Sequence, residues 1–485
     1  MIAVVLPGGP SEGCTLVAVT SPEPTAAVEA PLRVGVLGCG NVGAAFVALV
    51  DAGADSISGR TGISLEITRI AVRDPSRDRP GIDRVAFDKR VTTDAHAVVT
   101  DPDIDLVVEL IGGVEPARTL ILEALSSKKP VISGNKELLS TSAGELSAAA
   151  ESAGVDLLFE ASVAGAIPLV RLLRESLAGE HIVRLTGIVN GTTNYMLTRM
   201  SDEGIGYAEA LAEAQSLGYA EADPTADVEG YDSAAKAAIL AGIAFDADVR
   251  AADVHREGIT GIQASDIAFA HRLGYEVKLL AIAERSGPER SGTEGSGTEG
   301  SGTEPSGAEQ PPSVAVRVHP AMVSRDHPLA SVRGSFNAVF VEGDAAGELM
   351  VYGRGAGGRP TASAVLGDVI DAAHHLREGS RARSARRRIP DLRSIAELHS
   401  QYYLTLDVID RPGVLASVAS VFGEHRVSIR SMEQTGLSGE ARLVFITHTA
   451  LEADLSATLQ ALSELDSVER IGSVLRVIGP EPIGS

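Results

Sequence analysis

The chain has few of the residues that cross-link or anchor a fold: its 485 residues include two cysteines, no tryptophan and 4% aromatic residues. Cys14 and Cys39 give no disulfide framework, which is typical of a reducing cytoplasm. Positive charge is also scarce, because 42 Lys and Arg stand against 65 Asp and Glu, a net charge of -23. This acidic balance argues against nucleic acid and anionic membranes as partners.

Long hydrophobic runs are lacking too. We expect no segment to be long and apolar enough to span a bilayer. Residues 1–31 have no basic n-region, so we interpret them as a disordered N-terminal extension and not as a signal peptide. The composition that is present, with 44% hydrophobic residues, predicts about three domains packed mainly by Ala, Val and Leu.

The first strong pattern is a strand, a glycine turn and a helix. An apolar run from Leu32 leads into the turn, which comprises Gly38, Cys39, Gly40, Asn41, Val42 and Gly43. The glycines allow a tight turn, close approach of a pyrophosphate and packing of helix on strand, while the helix N-terminus supplies amide donors. The pattern predicts dinucleotide binding; the alternative is an ordinary glycine turn in an α/β protein.

The end of the next predicted strand, Ser64–Val72, bears on the type of dinucleotide. Arg73 favours the 2′-phosphate of NADP, whereas Asp74 leaves NAD open, and a solvated Arg–Asp pair is the alternative. Further predicted strands at Asp105–Leu110 and Pro130–Ser133 enclose a helix. This alternation predicts a parallel, doubly wound sheet, a Rossmann-type domain over residues 32–158.

A second pattern places carboxylates ahead of a single lysine. The segment 218–236 contains Glu221, Asp223, Asp227, Glu229, Asp232 and Lys236. Because residues 237–245 are almost wholly apolar, we expect Lys236 to open a buried helix, where an ammonium group needs nearby carboxylates or a lowered pKa. Asp232, four positions earlier, lies on the same helix face. The loop carboxylates can converge on the ammonium group of a free amino acid; a solvated acidic loop is the alternative.

Two segments are predicted to be connections. Residues 286–312 contain repeats of Ser-Gly-Thr-Glu and are expected to form a mobile surface loop between strands Val277–Ala283 and Ser313–Val318. Residues 377–400 contain the basic run Arg381–Arg388, which we interpret as a solvated linker in preference to an anion site.

The C-terminal residues 401–479 show the order βαββαβ of a ferredoxin-like α/β sandwich. The first strand, Tyr402–Val408, is followed by the turn Asp410–Gly413 and the apolar helix Val414–Phe422. This region resembles an ACT domain, in which such a turn commonly forms part of an amino-acid-binding interface. A purely structural dimerisation module is the alternative.

From about Leu32 onward the chain resembles bacterial homoserine dehydrogenases that carry a C-terminal ACT domain. The resemblance rests on six motifs in order: the Gly38–Gly43 turn, Ser133–Lys136, Glu160–Pro168, Asn190–Asn194, the 218–236 segment and Gly353–Gly357. It implies the reversible, NAD(P)H-dependent reduction of L-aspartate 4-semialdehyde to L-homoserine, on the route to threonine, methionine and isoleucine.

The resemblance also implies roles for individual residues. Lys236 would be the acid/base that protonates the developing alkoxide, and Lys136 would lie between cofactor and substrate. The amino acid would be held by Glu221, Asp227 and Asp232. The chemistry agrees, since hydride delivery to an aldehyde needs a proton donor near the carbonyl oxygen. A surface position for Lys136 remains the alternative.

Further sites follow from the same resemblance. A monovalent cation such as sodium would be held by Glu160 and the carbonyls of Val163, Gly165 and Ile167, since oxygen ligands suit a hard cation; a salt-bridged Glu160 at a strand end is the alternative. Residues 159–352 would form the α+β substrate and dimerisation domain of a dimer or tetramer. Residues 353–376 would return to the Rossmann-type domain, with Gly353 at the cofactor.

Two rival functions are weaker. A semialdehyde dehydrogenase of the same layout needs a nucleophilic cysteine in the second domain, and neither Cys14 nor Cys39 lies there. A catalytically dead amino-acid sensor would not need the intact Lys136 and Lys236 pattern. We further expect a free-standing ACT domain that answers to L-threonine, so that a chain ending near Arg388 stays active but loses its sensitivity to threonine.

Overall fold

The computed structural model describes residues 30–79, 81–286, 313–382, 388–437 and 440–479. The predicted N-terminal extension, most of the repeat insert and part of the arginine-rich run therefore lie outside the described residues. The described chain forms two sheets with helices packed against them.

The first sheet is parallel and has the order β3-β2-β1-β4-β5-β6. Its strands are β1 (Leu32–Leu37), β2 (Leu65–Ala71), β3 (Val91–Thr92), β4 (Leu106–Glu109), β5 (Val131–Ser133) and β6 (Leu157–Leu158). The connecting helices are α1 (Asn41–Thr61), α2 (Arg84–Arg90), α3 (Ala95–Thr100), α4 (Ala117–Ser126) and α5 (Lys136–Ala153). The predicted Rossmann-type, doubly wound sheet is confirmed, and the carboxyl ends of β1, β4 and β5 meet where ligands bind in such folds.

Helix α1 corrects one expectation. Among the described residues it alone has the length and apolar composition that would let a helix cross a bilayer. Its Phe46, Val47 and Val50 are buried in the core of the first sheet. The apolar composition of α1 is therefore explained by its packing in this core.

The middle region begins with α6 (Leu169–Arg171), which continues into a π-helical turn at Leu172–Ser176. The helices that follow are α7 (Gly191–Glu203), α8 (Tyr207–Ser216), α9 (Thr225–Val228), α10 (Tyr231–Ala244) and α11 (Ala264–Arg272). The strands are β7 (Ile182–Ile188), β8 (His255–Arg256), β9 (Tyr275–Ser286), β10 (Ser313–Ser324), β11 (Phe336–Gly343) and β12 (Gly347–Arg354). Helix α10 begins five residues before Lys236, so the expectation that Lys236 opens this helix is wrong; Gly230, at φ 80°, starts it instead.

Helix α12 (Gly358–Glu378) returns to the first sheet, as predicted. Its Ala362, Val365, Val369 and Ala372 join the core that contains Phe46 and Val47 of α1. The Rossmann-type domain is therefore closed by a helix that begins 200 positions after the end of β6, the last strand of its sheet. This return couples the two domains covalently at two places.

The C-terminal region has the predicted βαββαβ order with one additional short strand. Its elements are β14 (His399–Ile409), α13 (Val414–Glu424), β15 (Ile429–Leu437), β16 (Glu440–Thr447), β17 (Ala450–Leu451), α14 (Glu452–Ser463) and β18 (Val468–Ile478). The antiparallel order β18-β14-β16-β15 is that of a ferredoxin-like fold. Tyr402, Leu404 and Phe422 lie in its core.

The ACT domain is not free-standing, which corrects the expectation from sequence. Strand β18 pairs in parallel with the end of β10, in a register that places Arg476 opposite Ala321 and Ile478 opposite Val323. The two domains therefore share one continuous sheet of order β12-β11-β7-β9-β10-β18-β14-β16-β15. The predicted linker also contains structure, since β13 (Asp391–Leu392) pairs with Ser313 and Val314 of β10.

Removal of residues 291–310 should leave the melting temperature nearly unchanged. Strands β9 and β10 already pair at Ser286 and Ser313, so the two ends of the insert lie side by side. The closure entropy of a chain segment between two fixed ends changes only slowly with its length. Calorimetry on the full chain and the shortened chain tests this, and a large loss of stability would show that the repeat packs against the folded protein.

Candidate active site

The glycine turn has the geometry that a dinucleotide requires. Gly38 has φ 90°, and a Cβ there would lie 2.6 Å from the Leu110 carbonyl oxygen. A Cβ at Gly43 would lie 2.4 Å from the Gly38 carbonyl oxygen, whereas the space beside Gly40 is open. Among the described residues no side chain caps the N-terminus of α1, so its first amides are available to an anion. The residues therefore fit the pyrophosphate of a dinucleotide.

A cleft of 920 Å³ runs along this turn. Its lining includes Gly40 and Asn41 of the turn together with Arg77, Arg79 and Arg359. Arg79 donates a hydrogen bond to the Cys39 carbonyl oxygen at 3.0 Å. Arg77 and Arg79 come from the loop after β2 and Arg359 from the first turn of α12, so all three lie outside the glycine motif and are not predicted by it.

Arg73 and Asp74 behave differently after β2. The Asp74 carboxylate accepts hydrogen bonds from the Ser76 hydroxyl at 2.6 Å and the Ser76 amide at 2.9 Å, which lower the pKa of Asp74. Arg73 is exposed. The Asp74 carboxylate, which would hold ribose hydroxyls, is therefore already hydrogen-bonded to Ser76, whereas Arg73 is exposed to solvent.

Lys236 lies inside α10 and is 8% exposed. Its Nζ donates to Asp232 Oδ2 at 2.7 Å and to the Val189 carbonyl oxygen at 2.7 Å. Burial lowers the pKa of Lys236, and Asp232 opposes this shift without cancelling it. The ammonium group is thus held in place and disposed to release a proton.

Lys136 comes from the other domain, at the first position of α5. Its Nζ pairs with Oδ1 of Asp232, the oxygen that Lys236 does not use. Burial acts to lower the pKa of Lys136, but Asp232 and Asp227 outweigh it and raise the pKa. Burial likewise acts to raise the pKa of Asp232, while the two lysines hold it well below its usual range. One buried carboxylate therefore joins two lysines with opposite pKa shifts.

Asn190 ties the 218–236 segment into this network. Its Nδ2 donates to Asp227 Oδ1 at 2.6 Å and to Asp232 Oδ2 at 2.9 Å, while its Oδ1 accepts from the Thr193 amide at 2.9 Å. The Asn190–Asn194 motif thus bonds its own backbone and also reaches the carboxylates. Glu221 lies on the exposed loop, where its carbonyl accepts from Gln215.

The predicted cation loop packs against the Gly353–Gly357 segment. A Cβ at Gly165 would lie 2.6 Å from the Gly355 carbonyl oxygen, and a Cβ at Gly353 would lie 3.1 Å from the Ile167 side chain. Successive left-handed residues, Ala164 and Gly165, bend the loop. The close packing requires glycine at these positions.

Glu160 is buried at the start of this loop. Its two carboxylate oxygens accept from the amides of Val170 and Arg171 at 2.8 and 2.7 Å, and burial raises its pKa. Its amide donates a hydrogen bond to Asp368 of α12. Burial raises the pKa of Asp368 to about 7. No group of three His, Cys, Asp or Glu side chains suited to a metal occurs among the described residues, so a cation here would depend on backbone carbonyls.

These features define a nicotinamide-dinucleotide-dependent oxidoreductase with an attached ACT domain. Family models agree: residues 38–160 match the homoserine dehydrogenase NAD-binding domain, residues 168–370 the homoserine dehydrogenase domain and residues 402–467 the ACT domain.

The chain is similar to homoserine dehydrogenases over almost its whole length. It is 48% identical to that of Mycobacterium tuberculosis, with 93% of this chain and 98% of the relative covered. It is 46% identical to that of Corynebacterium glutamicum, with 92% of this chain and 95% of the relative covered. The crystal structure of the Thiobacillus denitrificans enzyme has a TM-score of 0.81 and 36% sequence identity. The match covers 93% of this chain and 98% of that one. The chain belongs to the homoserine dehydrogenase family.

Replacement of Lys236 by alanine should lower the turnover of homoserine on the order of 10²-fold or more, because the predicted general acid/base is lost. Cofactor binding, followed by fluorescence titration, should persist because the Gly38–Gly43 turn is untouched. Lys136→Ala should also impair the chemical step. A near-normal kcat in the Lys236 variant would remove that residue from the mechanism.

Lys129→Met is a matched control. Lys129 is also buried, but its Nζ donates to the carbonyls of Asp101 and Ile104 in the Rossmann-type domain. Its replacement should reduce stability more than turnover.

Proposed function

We propose that this homoserine dehydrogenase interconverts L-homoserine and L-aspartate 4-semialdehyde with Lys236 as the acid/base. The observation that carries the proposal is the bridge from Asp232 to Lys236 and Lys136, which joins both domains at one carboxylate. When bound, the nicotinamide supplies the hydride that reduces the aldehyde carbon. The chain must supply the proton, the position of the substrate and the exclusion of water.

Lys236 is suited to the proton transfer by its hydrogen bonds. A lysine ammonium group has three N–H donors, and two of them are directed at Asp232 and the Val189 carbonyl. The third is available to the carbonyl oxygen of the aldehyde, which becomes an alkoxide as the carbon is reduced. The lowered pKa of Lys236 favours transfer of that proton, and the neutral amine accepts one in the reverse direction.

Lys136, Asp227 and Glu221 have supporting roles in this proposal. The raised pKa of Lys136 keeps its ammonium group charged, so it can hold an anionic or polar group between cofactor and substrate. Glu221 on the exposed loop and Asp227 in α9 both precede α10, and their carboxylates can bind the ammonium group of the amino acid. Asp232 orients Lys236 and is itself a substrate-binding carboxylate.

We propose NADP as the preferred cofactor, with NAD as the second candidate. Support comes from exposed Arg73 at the end of β2, from Arg77 and Arg79 beside the cleft, and from the engagement of Asp74 by Ser76. Guanidinium groups bind phosphate through paired hydrogen bonds. A carboxylate at this place would instead favour the free ribose hydroxyls of NAD.

Arg73→Ala should raise the KM for NADPH about tenfold while leaving the KM for NADH nearly unchanged, because loss of a charge-assisted hydrogen bond costs roughly 1.5–3 kcal/mol. Initial rates with each cofactor at saturating substrate test this. Arg60→Ala is the control, since Arg60 lies in the last turn of α1, away from its N-terminus. Equal effects on both cofactors would exclude recognition of a 2′-phosphate by Arg73.

A monovalent cation such as sodium at Glu160 and the carbonyls of Val163, Gly165 and Ile167 belongs to the same proposal. It is supported by the buried carboxylate and by the bend at Ala164 and Gly165. The cation would brace the loop against the Gly353–Gly357 segment. We also propose a dimer or a tetramer as the active form, and the threonine, methionine and isoleucine pathways of the cytoplasm as its setting.

We propose that the ACT domain binds L-threonine and lowers the activity of the enzyme. A cavity of 410 Å³ adjoins the turn Asp410–Gly413, and Gln434 and Leu443 also line it. Asp410 offers a carboxylate for the ammonium group of an amino acid, and the N-terminus of α13 offers amides for its carboxylate. Because β18 pairs with β10, threonine binding can reach the substrate domain through the shared sheet.

Asp410→Ala in the full chain should raise the threonine concentration needed for half-maximal inhibition at least tenfold without changing the uninhibited rate. Glu469→Ala, a second acidic position in the same domain, serves as the control. A chain ending near Arg388 is a less specific test, since it also removes the strand that covers Ala321–Val323. If millimolar threonine neither changes the rate nor gives heat on calorimetric titration, the effector is another ligand or the domain serves assembly alone.

A further inference from the structure

We propose that Arg476 of the ACT domain and Glu257 of the substrate domain form a contact that positions residues 227–232, which carry Asp227 and Asp232. This inference rests on the proposed role of Asp227 and Asp232 in holding homoserine. It assigns to the ACT domain a part in substrate affinity even when no effector is bound.

The first link is the guanidinium of Arg476, which is buried at the seam between the two domains. The Arg476 side chain is 7% exposed, and the residue lies on β18 opposite Ala321 of β10. Its Nη1 donates to Glu257 Oε2 at 2.9 Å. Its Nη2 and Nε donate to the two oxygens of Glu452 at 2.5 and 3.1 Å. The guanidinium is therefore held by Glu452 of its own domain, and it also donates a hydrogen bond to Glu257 of the substrate domain.

The second link is the short segment 256–259, which packs against residues 228–231 at the start of α10. A Cβ on Gly258 would lie 2.5 Å from the Val228 carbonyl oxygen, and the Ile259 amide donates to that same oxygen at 2.8 Å. Arg256 donates to the Glu229 carbonyl oxygen at 3.2 Å and lies 3.4 Å above the ring of Tyr231. A displacement of Glu257 must therefore be transmitted to residues 228–231, because no space separates the two segments.

The third link is the position of those residues in the site. Residues 228–231 join Asp227 to Asp232, the two carboxylates that Asn190 holds together. Gly230, in a left-handed conformation at φ 80°, starts α10 and so sets the direction in which Asp232 and Lys236 project. Small shifts of this segment change the separation of Asp227 from Asp232, and hence the fit of a substrate between them.

Two other side-chain contacts between the domains involve neither residues 227–232 nor segment 256–259. Arg272 and Glu433 form an exposed pair at 3.0 Å, and the Tyr403 hydroxyl donates to Asp266 at 3.2 Å. Both of these contacts end on α11 or at its last residue. They provide matched controls, since their loss weakens the domain contact without touching segment 256–259.

The experiment compares Glu257→Ala, Glu257→Gln and Arg272→Met in the full chain, each measured for kcat, the KM values of homoserine and cofactor, and melting temperature. We expect Glu257→Ala to raise the KM for homoserine about 2- to 30-fold, the range of coupling through packed networks, with the cofactor KM unchanged. Glu257→Gln, which keeps a hydrogen-bond acceptor, should lie closer to the unaltered chain. Arg272→Met should leave both KM values unchanged.

The possible outcomes are distinct. An unaltered KM for homoserine in Glu257→Ala, with or without a lower melting temperature, overturns the positioning role. An equal rise of the KM in Arg272→Met would show that any weakening of the domain contact has this effect, and would also overturn it. If Glu257→Ala fails to fold, Arg476→Lys is measured instead, with the same expected rise. Failure of the unaltered chain to oxidise homoserine would overturn the proposed function itself.

Discussion

The Asp232 carboxylate is the interaction on which the active site depends. It is almost fully buried, and a buried carboxylate survives as an anion only with partners that stabilise its charge. Lys236 occupies one oxygen and Lys136 the other, while Asn190 donates to the first. Removal of any one partner leaves the others with an unmatched charge or hydrogen bond. The domains are thereby held in one relative position, with the pKa of Lys236 lowered and that of Lys136 raised.

Glycine residues at tight backbone contacts allow the two domains to pack in this arrangement. The Gly353–Gly357 segment lies against the loop at Gly165, and Gly355 lies against the side chain of Asn337, so near that a Cβ would overlap it. Gly358 then brings α12 against Asn41 at the N-terminus of α1. Larger residues at these points would separate the cofactor turn from the substrate domain. The segment thus leads into α12, whose first residues Gly358 and Arg359 line the cleft and whose Ala362 and Val365 join the Rossmann-type core.

The shared sheet explains how an ACT domain can influence a reaction in another domain. Strand pairing between β10 and β18 is a rigid, hydrogen-bonded connection, and Arg476 adds a charged contact at the same register. Effector binding can alter catalysis only if it favours one arrangement of this seam over another. The seam lies beside segment 256–259, which packs against the residues that join Asp227 to Asp232.

Local patterns in the sequence determined much of this protein. The Gly38–Gly43 turn, the strand and helix order of both α/β domains, and the pairing of Asp232 with Lys236 follow from periods and spacings of a few residues. Motifs identified the chemistry because the residues that perform it lie close together in the chain. They could not show where α10 begins, since the helix starts at Gly230, whose left-handed backbone at φ 80° is not encoded in the spacing of the carboxylates.

The tertiary structure alone decided which distant residues meet. Lys136 and Asp232 are 96 positions apart, and Arg476 and Glu257 are 219 apart. No local spacing encodes such contacts, because they depend on how whole sheets and helices pack. The same reason accounts for Arg79 beside the cofactor turn and for the strand pairing that joins the ACT domain to the substrate domain. Sequence determined the chemical groups and the local elements, whereas packing decided their partners, their burial and therefore their pKa values.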